Sequence, residues 1–251
     1  MVLENNFILE EFIPEVLREY DIRGIVNKDL TVNTAYTIGR TFGHVVCNQF
    51  SEKTIVVGYD GRLTSPELQK ALCKGLLESG ANVTNIGMGP TPMTYFAHYY
   101  MNSNAAIMVT GSHNPSEYNG FKMVLNKNSF YSKNIQLLQK LVKDPKLSKG
   151  QGTFKEIEIK NEYSKRNLQN INFVKKLKVA WDIGNGAMGA VINNFELKMK
   201  NIENIFINKE VDGNFPNHHP DPTVPKNMIQ LIETVKKNDC DLGLAFDGDG
   251  D

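Results

Sequence analysis

Short apolar runs alternate with amphipathic helical patterns along the chain, and this alternation restricts the fold more than any other feature of the sequence. Apolar runs of strand length occupy, for example, residues 54–59 and 241–246. The segment 65–79 has a helical pattern, with Ser65 in the place of an N-cap and Pro66 in the first turn. Alternating strands and helices are typical of parallel sheets covered by helices on both faces. We therefore predict an α/β fold with mostly parallel sheets.

The same alternation assigns most of the remaining chain and indicates two domains. Further strands are predicted over residues 81–86, 105–110, 121–125, 178–183 and 204–207, and further helices over residues 91–100, 132–144, 161–176, 187–199 and 226–238. A polar, lysine-rich stretch at 144–156 interrupts the alternation, and its Pro, Ser and Gly residues are typical of a linker. We therefore predict two α/β domains, residues 1–153 and residues 154–251.

The charge balance and the cysteines restrict the partners and the compartment that we expect. The chain has 28 basic and 28 acidic side chains, so no net field attracts nucleic acid or an anionic membrane. No apolar run reaches the length of about 18 residues that suggests a membrane span, and the acidic first residues do not resemble a signal peptide. The three cysteines form no CxxC pair, which is typical of reduced thiols. We expect a cytoplasmic protein with no nucleic-acid or membrane partner.

The loop at 110–120 presents reactive side chains at the end of a predicted strand. Ser112, His113 and Lys122 lie in or beside it, and Asn-Pro and Asn-Gly pairs favour turns there. A serine hydroxyl in such a loop can act as a nucleophile or carry a phosphoryl group. Because His113 is adjacent to Ser112 and no GxSxG motif is present, a hydrolase triad is not indicated. A solvated polar turn is the alternative interpretation.

The last residues of the chain form an acidic loop. Asp247, Asp249 and Asp251 alternate with glycines after the predicted strand 241–246. Three carboxylates that converge repel one another unless a cation lies among them, and their hard oxygen atoms suit Mg²⁺ or Ca²⁺. An EF-hand loop also begins with alternating aspartates, but the segment that enters this loop is a strand rather than a helix. A solvated acidic turn is the remaining alternative.

The loop at 184–189 matches G-x-G-x-x-G and gives a different hypothesis. It follows a predicted strand and opens a predicted helix, and Glu210 lies about twenty residues further along. This context predicts an NAD(P)-dependent oxidoreductase. Asp182 would lie beside the pyrophosphate, however, and the serine and acidic loops would have no role.

Several stretches together resemble one enzyme family, the α-D-phosphohexomutases, and within it the phosphomannomutase/phosphoglucomutase group. The matching stretches are REYDIRG (18–24), YDGRLTSPEL (59–68), TGSHNPSEYNGFKM (110–123), DIGNGAMG (182–189), DGNFPNHHPDPTVP (212–225) and FDGDGD (246–251). The resemblance implies a protein of four domains, of which this chain would hold the first and nearly all of the second. Domains three and four would be absent, as would the Arg that follows DGDGD in the family.

The resemblance implies a phosphosugar mutase that moves phosphate between C1 and C6 of mannose or glucose phosphate. Ser112 would carry the phosphate, and a 1,6-bisphosphate of glucose or mannose would be the intermediate and activator. Asp247, Asp249 and Asp251 would hold one Mg²⁺ together with the phosphate on Ser112. Lys122 resembles the general acid/base.

Further residues acquire expected roles in the same way. Arg23 would support the phosphoryl group and His113 would join it in the catalytic site, whereas Tyr20 and Asn119 would bind the substrate. Phe121 resembles the mannose/glucose group rather than the phosphoglucosamine group, which usually has Ile at that place. Tyr59 departs from the Arg of many members.

The expected partners are a hexose phosphate and, for activity, a C-terminal half that another chain could supply. A non-catalytic remnant that only folds or binds a partner is the other alternative. The pair His218-His219 could suggest zinc, but its proline-rich surroundings favour a rigid loop near the domain junction.

Overall fold

The strands form two separate sheets in this computed structural model, which describes residues 6–171 and 175–251. The first sheet has the order β1 (Ile22–Ile25), β5 (Tyr118–Leu125), β4 (Ala105–Val109), β2 (Thr54–Tyr59), β3 (Asn82–Met88) and β7 (Phe154–Glu156), and β6 (Asn128–Ser129) pairs with β5. The second sheet has the order β10 (Leu242–Ala245), β8 (Leu177–Asp182) and β9 (Ile202–Ile207), and its pairings are parallel. No helix among the described residues is long and apolar enough to cross a bilayer.

Helices cover the sheets, which confirms the predicted α/β class. They are α1 (Val32–Gln49), α2 (Ser65–Glu78), α3 (Thr91–Tyr100), α4 (Lys133–Leu141), α5 (Lys160–Leu168), α6 (Ile192–Glu196) and α7 (Ile229–Asn238), with short 3₁₀ turns at Pro14–Val16, Ala187–Ala190 and Pro225–Met228. Along β2, Ile55 and Val57 contribute to one apolar cluster and Val56 to the other, because successive strand residues point to opposite faces. The first sheet is therefore buried on both faces.

The second of these clusters contains residues from both halves of the chain. Val56 and Met93 lie in it beside Ile183, Met188 and Val191. One face of the first sheet thus packs against the loop and 3₁₀ turn that follow β8. This shared core brings the carboxyl end of β4 and the carboxyl end of β10 to one junction.

Strand β5 differs from the predicted parallel arrangement. It pairs antiparallel with both β1 and β4, whereas β4, β2, β3 and β7 are parallel neighbours. Residues 110–117 join β4 to β5 without a helix, and a connection without a helical crossover favours antiparallel neighbours.

Several boundaries differ from the prediction. The N-cap of α2 is Thr64 rather than Ser65, because the Ser65 hydroxyl donates a hydrogen bond to Asp60 Oδ1 at 2.5 Å. The predicted helix 187–199 is divided into a 3₁₀ turn and the short α6. The predicted helix 161–176 ends at Leu168, and its residues 172–174 lie outside the described residues.

The predicted domain boundary after residue 153 stays a prediction. Strand β7 lies just beyond this boundary and pairs with a strand from before it. Phe154 pairs with Val83 and Glu156 with Asn85, so β7 extends the first sheet. The sheet therefore takes a strand from the far side of the predicted linker.

Candidate active site at the junction of the two sheets

The serine loop (110–117) and the acidic loop (247–251) meet at the junction. Ser112 Oγ donates a hydrogen bond to Asp247 Oδ2 at 3.1 Å, and both residues are 7% exposed. The backbones are equally close, because a Cβ atom added at Gly248 would overlap with the carbonyl oxygen of Ser112. Two loops that are 135 residues apart in sequence therefore form one site.

The acidic loop curls so that its three carboxylates converge. Asp247 Oδ1 accepts hydrogen bonds from the backbone N–H groups of Asp249 at 3.2 Å and Asp251 at 2.9 Å. Gly250 supplies the left-handed turn with a φ of 79°, which glycine adopts readily. One oxygen atom from each carboxylate lies within 4.8 Å of the others.

This oxygen set fits a hard divalent cation. Asp249 is completely buried, and its Oδ1 atom has no hydrogen-bond partner, although a buried carboxylate oxygen normally has one. The acidic loop is the single cluster of at least three potential metal-ligating side chains within residues 6–171 and 175–251. Three carboxylate oxygens with room for a phosphate oxygen suit Mg²⁺.

The carboxylates of the acidic loop oppose each other's ionisation. Burial and the charge of Asp249 raise the pKa of Asp247 to about 7. Burial and Asp249 also raise the pKa of Asp251. Burial acts in the same direction on Asp249, but Lys122 and a hydrogen bond from Thr91 hold its pKa below the usual value. The loop thus concentrates negative charge that a cation would relieve.

Lys122 lies on β5 and reaches the acidic loop from the first sheet. Its Nζ atom is 2.8 Å from Asp249 Oδ2 and 3.3 Å from Asp251 Oδ2. Burial lowers the pKa of Lys122, but the charge of Asp249 outweighs this effect and raises the pKa above its usual value. Lys122 therefore carries its proton in this arrangement, whereas a general base requires a lowered pKa.

Arg23 lies on β1 and supports the serine loop. Its Nη1 atom donates hydrogen bonds to Gly111 O at 2.5 Å and to the Asn114 side chain, and its Nη2 atom contacts Asp21. The Nε atom is buried without a hydrogen-bond partner. The guanidinium thus lies beside Ser112 with its buried Nε–H donor still free.

The other three predicted site residues occupy different environments. Tyr20 is 78% exposed and stacks on Tyr131, and His113 is exposed. Asn119 is completely buried, and its side-chain amide donates to the hydroxyls of Thr64 and Ser65 at 2.9 Å. The substrate-binding role of Asn119 stays a prediction; in the structure its side chain joins β5 to the start of α2.

Asp60 and Arg62 form a buried pair beneath the serine loop, and the sequence analysis assigned them no role. Arg62 Nε is 3.2 Å from Asp60 Oδ2, and both side chains are fully buried. Two signals point to these residues: they lie in the stretch YDGRLTSPEL (59–68), and they follow β2 directly, where the loops of parallel strands carry function.

The G-x-G-x-x-G loop is packed against protein rather than open to a dinucleotide. The N–H group of Ala187 donates to Gly248 O, and that of Asn185 donates to Asn208 O. A Cβ atom added at Gly189 would overlap with the carbonyl oxygen of Lys209. Backbone donors that would hold a pyrophosphate are thus paired with other parts of the protein, one of them with the acidic loop, which argues against the oxidoreductase hypothesis.

The histidine pair has a structural environment rather than a metal-binding one. His218 Nε2 is 2.8 Å from Asp182 Oδ2, and the hydrogen bond that His218 donates to the Asp182 carboxylate raises the pKa of His218. This geometry agrees with the rigid loop that we preferred to a zinc site.

The chain was compared with known proteins. Residues 14–147 match the model of phosphoglucomutase/phosphomannomutase alpha/beta/alpha domain I, and residues 159–251 match that of domain II. A phosphomannomutase/phosphoglucomutase of Pseudomonas putida is 45% identical over 236 residues, which are 94% of this chain and 50% of that protein. A phosphoglucomutase of Neisseria meningitidis is 42% identical over 240 residues, 94% of this chain and 52% of that protein.

Solved structures agree with these matches. An X-ray structure of a phosphoglucomutase/phosphomannomutase family protein from Burkholderia thailandensis superposes with a TM-score of 0.89 at 39% identity, over 95% of this chain and 54% of that chain. The chain spans about half the length of the curated relatives it matches. From its two matched domains, its sequence identity and its fold, the chain belongs to the phosphoglucomutase/phosphomannomutase family.

Proposed function

We propose that this chain carries the phosphoserine and the metal-holding half of a phosphohexose mutase. The reaction would move phosphate between C1 and C6 of a mannose or glucose phosphate. The observation that supports it most directly is the 3.1 Å contact between Ser112 Oγ and Asp247 Oδ2, within a carboxylate cluster that fits Mg²⁺. Family membership supports the same reaction class.

The chain's own residues supply nucleophile, charge and orientation. A phosphate on Ser112 would lie between the acidic loop, the Arg23 guanidinium and the Lys122 ammonium. Mg²⁺ held by Asp247, Asp249, Asp251 and the serine phosphate would neutralise phosphoryl oxygens. The rest of the catalysis is positioning and electrostatic stabilisation, as is usual for phosphoryl transfer.

The proposed reaction has two phosphoryl transfers. In the first, a sugar hydroxyl oxygen bonds to the phosphorus on Ser112, the bond from phosphorus to Ser112 Oγ breaks, and the sugar hydroxyl proton is transferred, in net terms, to the departing Ser112 Oγ. The product is a hexose 1,6-bisphosphate. In the second, Ser112 Oγ bonds to the phosphorus of the other phosphate and loses its proton, and the bond from that phosphorus to the sugar oxygen breaks as this oxygen gains a proton. Lys122, which carries a proton beside the site, is our candidate for the proton donor.

The substrate and the remainder of the protein are part of the proposal. The phosphate that does not react needs its own binding groups, because remote binding energy is used to lower the barrier at the reacting centre. We assign this role to a C-terminal half, which would correspond to the unmatched half of the relatives. Free cysteines at positions 47, 73 and 240 support a reducing, cytoplasmic location.

The test uses the 251-residue chain joined to the C-terminal half of a family member, with glucose or mannose 1-phosphate, Mg²⁺ and a catalytic amount of the 1,6-bisphosphate. We expect formation of the 6-phosphate, and a phosphate on Ser112 detected by mass spectrometry. Ser112→Ala should abolish both signals, and Ser116→Ala, in the same loop, should retain them. An active Ser112→Ala variant, or an inactive joined wild type with either sugar, would refute the proposal.

A further inference from the structure

An arginine lies completely buried beneath the serine loop. Arg62 is 1% exposed, and the structure pairs it with Asp60, whose side chain is equally buried. Removing two charges from water is costly unless good geometry and further hydrogen bonds compensate. The hydrogen bonds of this pair therefore indicate what its burial achieves.

All five N–H donors of the Arg62 guanidinium have acceptors, which is the maximum for this group. Nε donates to Asp60. The four remaining donors contact main-chain carbonyl oxygens: Pro115 at 2.6 Å, Tyr118 at 3.0 Å, Ser112 at 2.7 Å and Asn114 at 2.6 Å. One side chain thus holds the whole turn that presents Ser112.

The Asp60–Arg62 pair holds Ser112 on both sides of its Cα atom. The carbonyl oxygen of Ser112 accepts a hydrogen bond from Arg62. Its N–H group donates to Thr110 Oγ1 at 2.8 Å, and this hydroxyl donates to Asp60 Oδ2 at 2.8 Å. Ser112 has a φ of 50°, a left-handed conformation that residues other than glycine keep only where the surroundings enforce it.

Two further contacts show that the space around the guanidinium is closed. A Cβ atom added at Gly111 would overlap with Arg62 Cζ, so glycine is needed where the guanidinium passes under the loop. On another side, the Phe215 ring lies over Arg62 Cζ at 5.2 Å to the centroid, within the cation–π range. Phe215 comes from the half of the chain that contains the second sheet, so both halves enclose the pair.

We propose that Arg62, with Asp60 as its counter-charge, is a positioning residue for the Ser112 nucleophile. By fixing the peptide groups on both sides of Ser112, it aims Oγ at the acidic loop. This inference rests on the proposed phosphoryl transfer at Ser112. It predicts that loss of the guanidinium geometry lowers kcat rather than substrate affinity, because Arg62 contacts the loop and not the sugar.

The first test is Arg62→Lys in the joined protein. A lysine has three donors and no planar fork, so it cannot reach four carbonyl oxygens. We expect kcat to fall roughly 100-fold, the cost of a small misplacement of a reacting group. KM should change by less than about threefold, as expected when substrate contacts are intact. The matched control is Arg40→Lys, since Arg40 is also buried but bonds to Tyr36 and Ser148.

The second test separates positioning from simple support of the fold. In Arg62→Ala, added guanidinium at millimolar concentration should restore activity, because it can occupy the vacated site and donate in the same plane. Ammonium at equal ionic strength should not. Thr110→Val, which keeps the side-chain shape, removes the link between Ser112 and Asp60 and should also lower kcat without raising KM. This variant decides the question if Arg62→Lys does not fold.

Amide hydrogen exchange tests the positioning role of Arg62 without measuring catalytic turnover. In the 251-residue chain, Arg62→Lys or Thr110→Val should speed amide exchange in residues 110–117 relative to wild type and to Arg40→Lys. An inactive joined wild type would refute the proposed function, and the exchange data would still test the positioning. Wild-type kcat and wild-type protection of the loop in Arg62→Lys or Thr110→Val would overturn this inference, as would rescue by ammonium equal to rescue by guanidinium.

Discussion

Asp249 is the residue on which the charge of the acidic loop depends most. It is completely buried, and its Oδ2 atom is held by Lys122 and Thr91 while Oδ1 has no partner. One oxygen is therefore fixed by β5 and the start of α3, and the other is free for a cation. Such a division fixes the carboxylate orientation before the metal binds.

We expect Asp249→Asn to lower the affinity for Mg²⁺ or Mn²⁺ by at least about tenfold, since outer contacts alone are worth that much at metal sites. Isothermal titration of the chain with Mn²⁺ would measure the change. Asp239→Asn is the control, because Asp239 lies at the C-cap of α7 in a left-handed conformation that Asn tolerates. Equal Mn²⁺ affinity in wild type and Asp249→Asn would contradict the assignment of the metal site.

His218 gives a pH-dependent contribution to stability. Its hydrogen bond to Asp182 raises its pKa above the ordinary value of 6.5, so the folded state binds the proton more tightly than the unfolded state. This stabilisation is complete below the unfolded pKa and is lost as the pH rises through the higher folded pKa. The window therefore lies above pH 6.5.

Urea unfolding of wild type and His218→Gln at about pH 6 and about pH 8.5 tests this linkage. The wild type should lose more of its free energy of unfolding over this range than the variant, because the variant lacks the group whose pKa is raised on folding. His44→Gln, on α1, is the control. Parallel pH profiles for wild type and His218→Gln would exclude the ion pair as the source.

The sequence points to the proposed reacting residues more directly than to the residues that hold them. Ser112 and the three aspartates follow strand ends and belong to distinctive motifs, and the structure brings them together. Arg62 and Asp60 lie in the stretch YDGRLTSPEL (59–68), but this motif does not show which side chain they hold. The motif marks Asn119 as a residue of interest, but it does not show whether the side chain faces a ligand or the core.

Among the elements, α1 and α2 make an unusually close contact through glycines. A Cβ atom added at Gly39 would overlap with Leu72 O, and one at Gly75 with Tyr36 O. The helix axes can approach closely only because these side chains are absent. The pair forms one layer of the core that includes Leu68.

Gly39→Ala should therefore destabilise the protein by about 1–3 kcal/mol through overpacking, despite a gain of up to about 1 kcal/mol in helix propensity. Asn48→Ala, at an exposed position of α1, is the control and should be neutral or slightly stabilising. Urea midpoints measure both variants. A Gly39→Ala protein as stable as wild type would mean that the helices separate without cost.

The elements that were not predicted lack strong local signals. Helix α1 is rich in Thr, Val and Gly, which are weak helix formers, yet it is largely buried and begins with a capping box between Thr31 and Thr34. Its stability thus comes from packing rather than propensity. Conversely, the apolar pattern at 187–199 predicted one helix, but the structure has a 3₁₀ turn followed by the short α6. Gly189, in the 3₁₀ turn, lies in close contact with the Lys209 backbone.

At the scale of the whole molecule, the site depends on how the two sheets are joined. Gly248 touches the Ser112 backbone, and Gly186 touches the backbone of the acidic loop. Neither the serine loop nor the acidic loop forms the site alone. Sequence alone could not give this distance, because nothing in a linear pattern fixes the angle between two sheets.

Gly248→Ala directly tests the contact between the acidic loop and the serine loop. The added methyl group would overlap with Ser112 O, so the loops should separate while the three carboxylates stay intact. We expect mutase activity of the joined protein to fall roughly 100-fold, the cost of about 1 Å of misplacement, with Mn²⁺ affinity little changed. Gly87→Ala is a control for a glycine with open space, although its φ of 74° adds local strain. Full activity in Gly248→Ala would contradict the contact.

The bonds from Lys122 and Thr91 to Asp249 have a consequence for biosynthesis. A ribosome releases the chain from its N-terminus, and N-terminal parts generally fold first. Strand β5 and helix α3 therefore emerge well before the aspartates. When the aspartates of the acidic loop are synthesised, the Lys122 ammonium and the Thr91 hydroxyl are already present in the folded N-terminal part. These two groups can bind Asp249 and hold the mutually repelling carboxylates together before a metal ion binds.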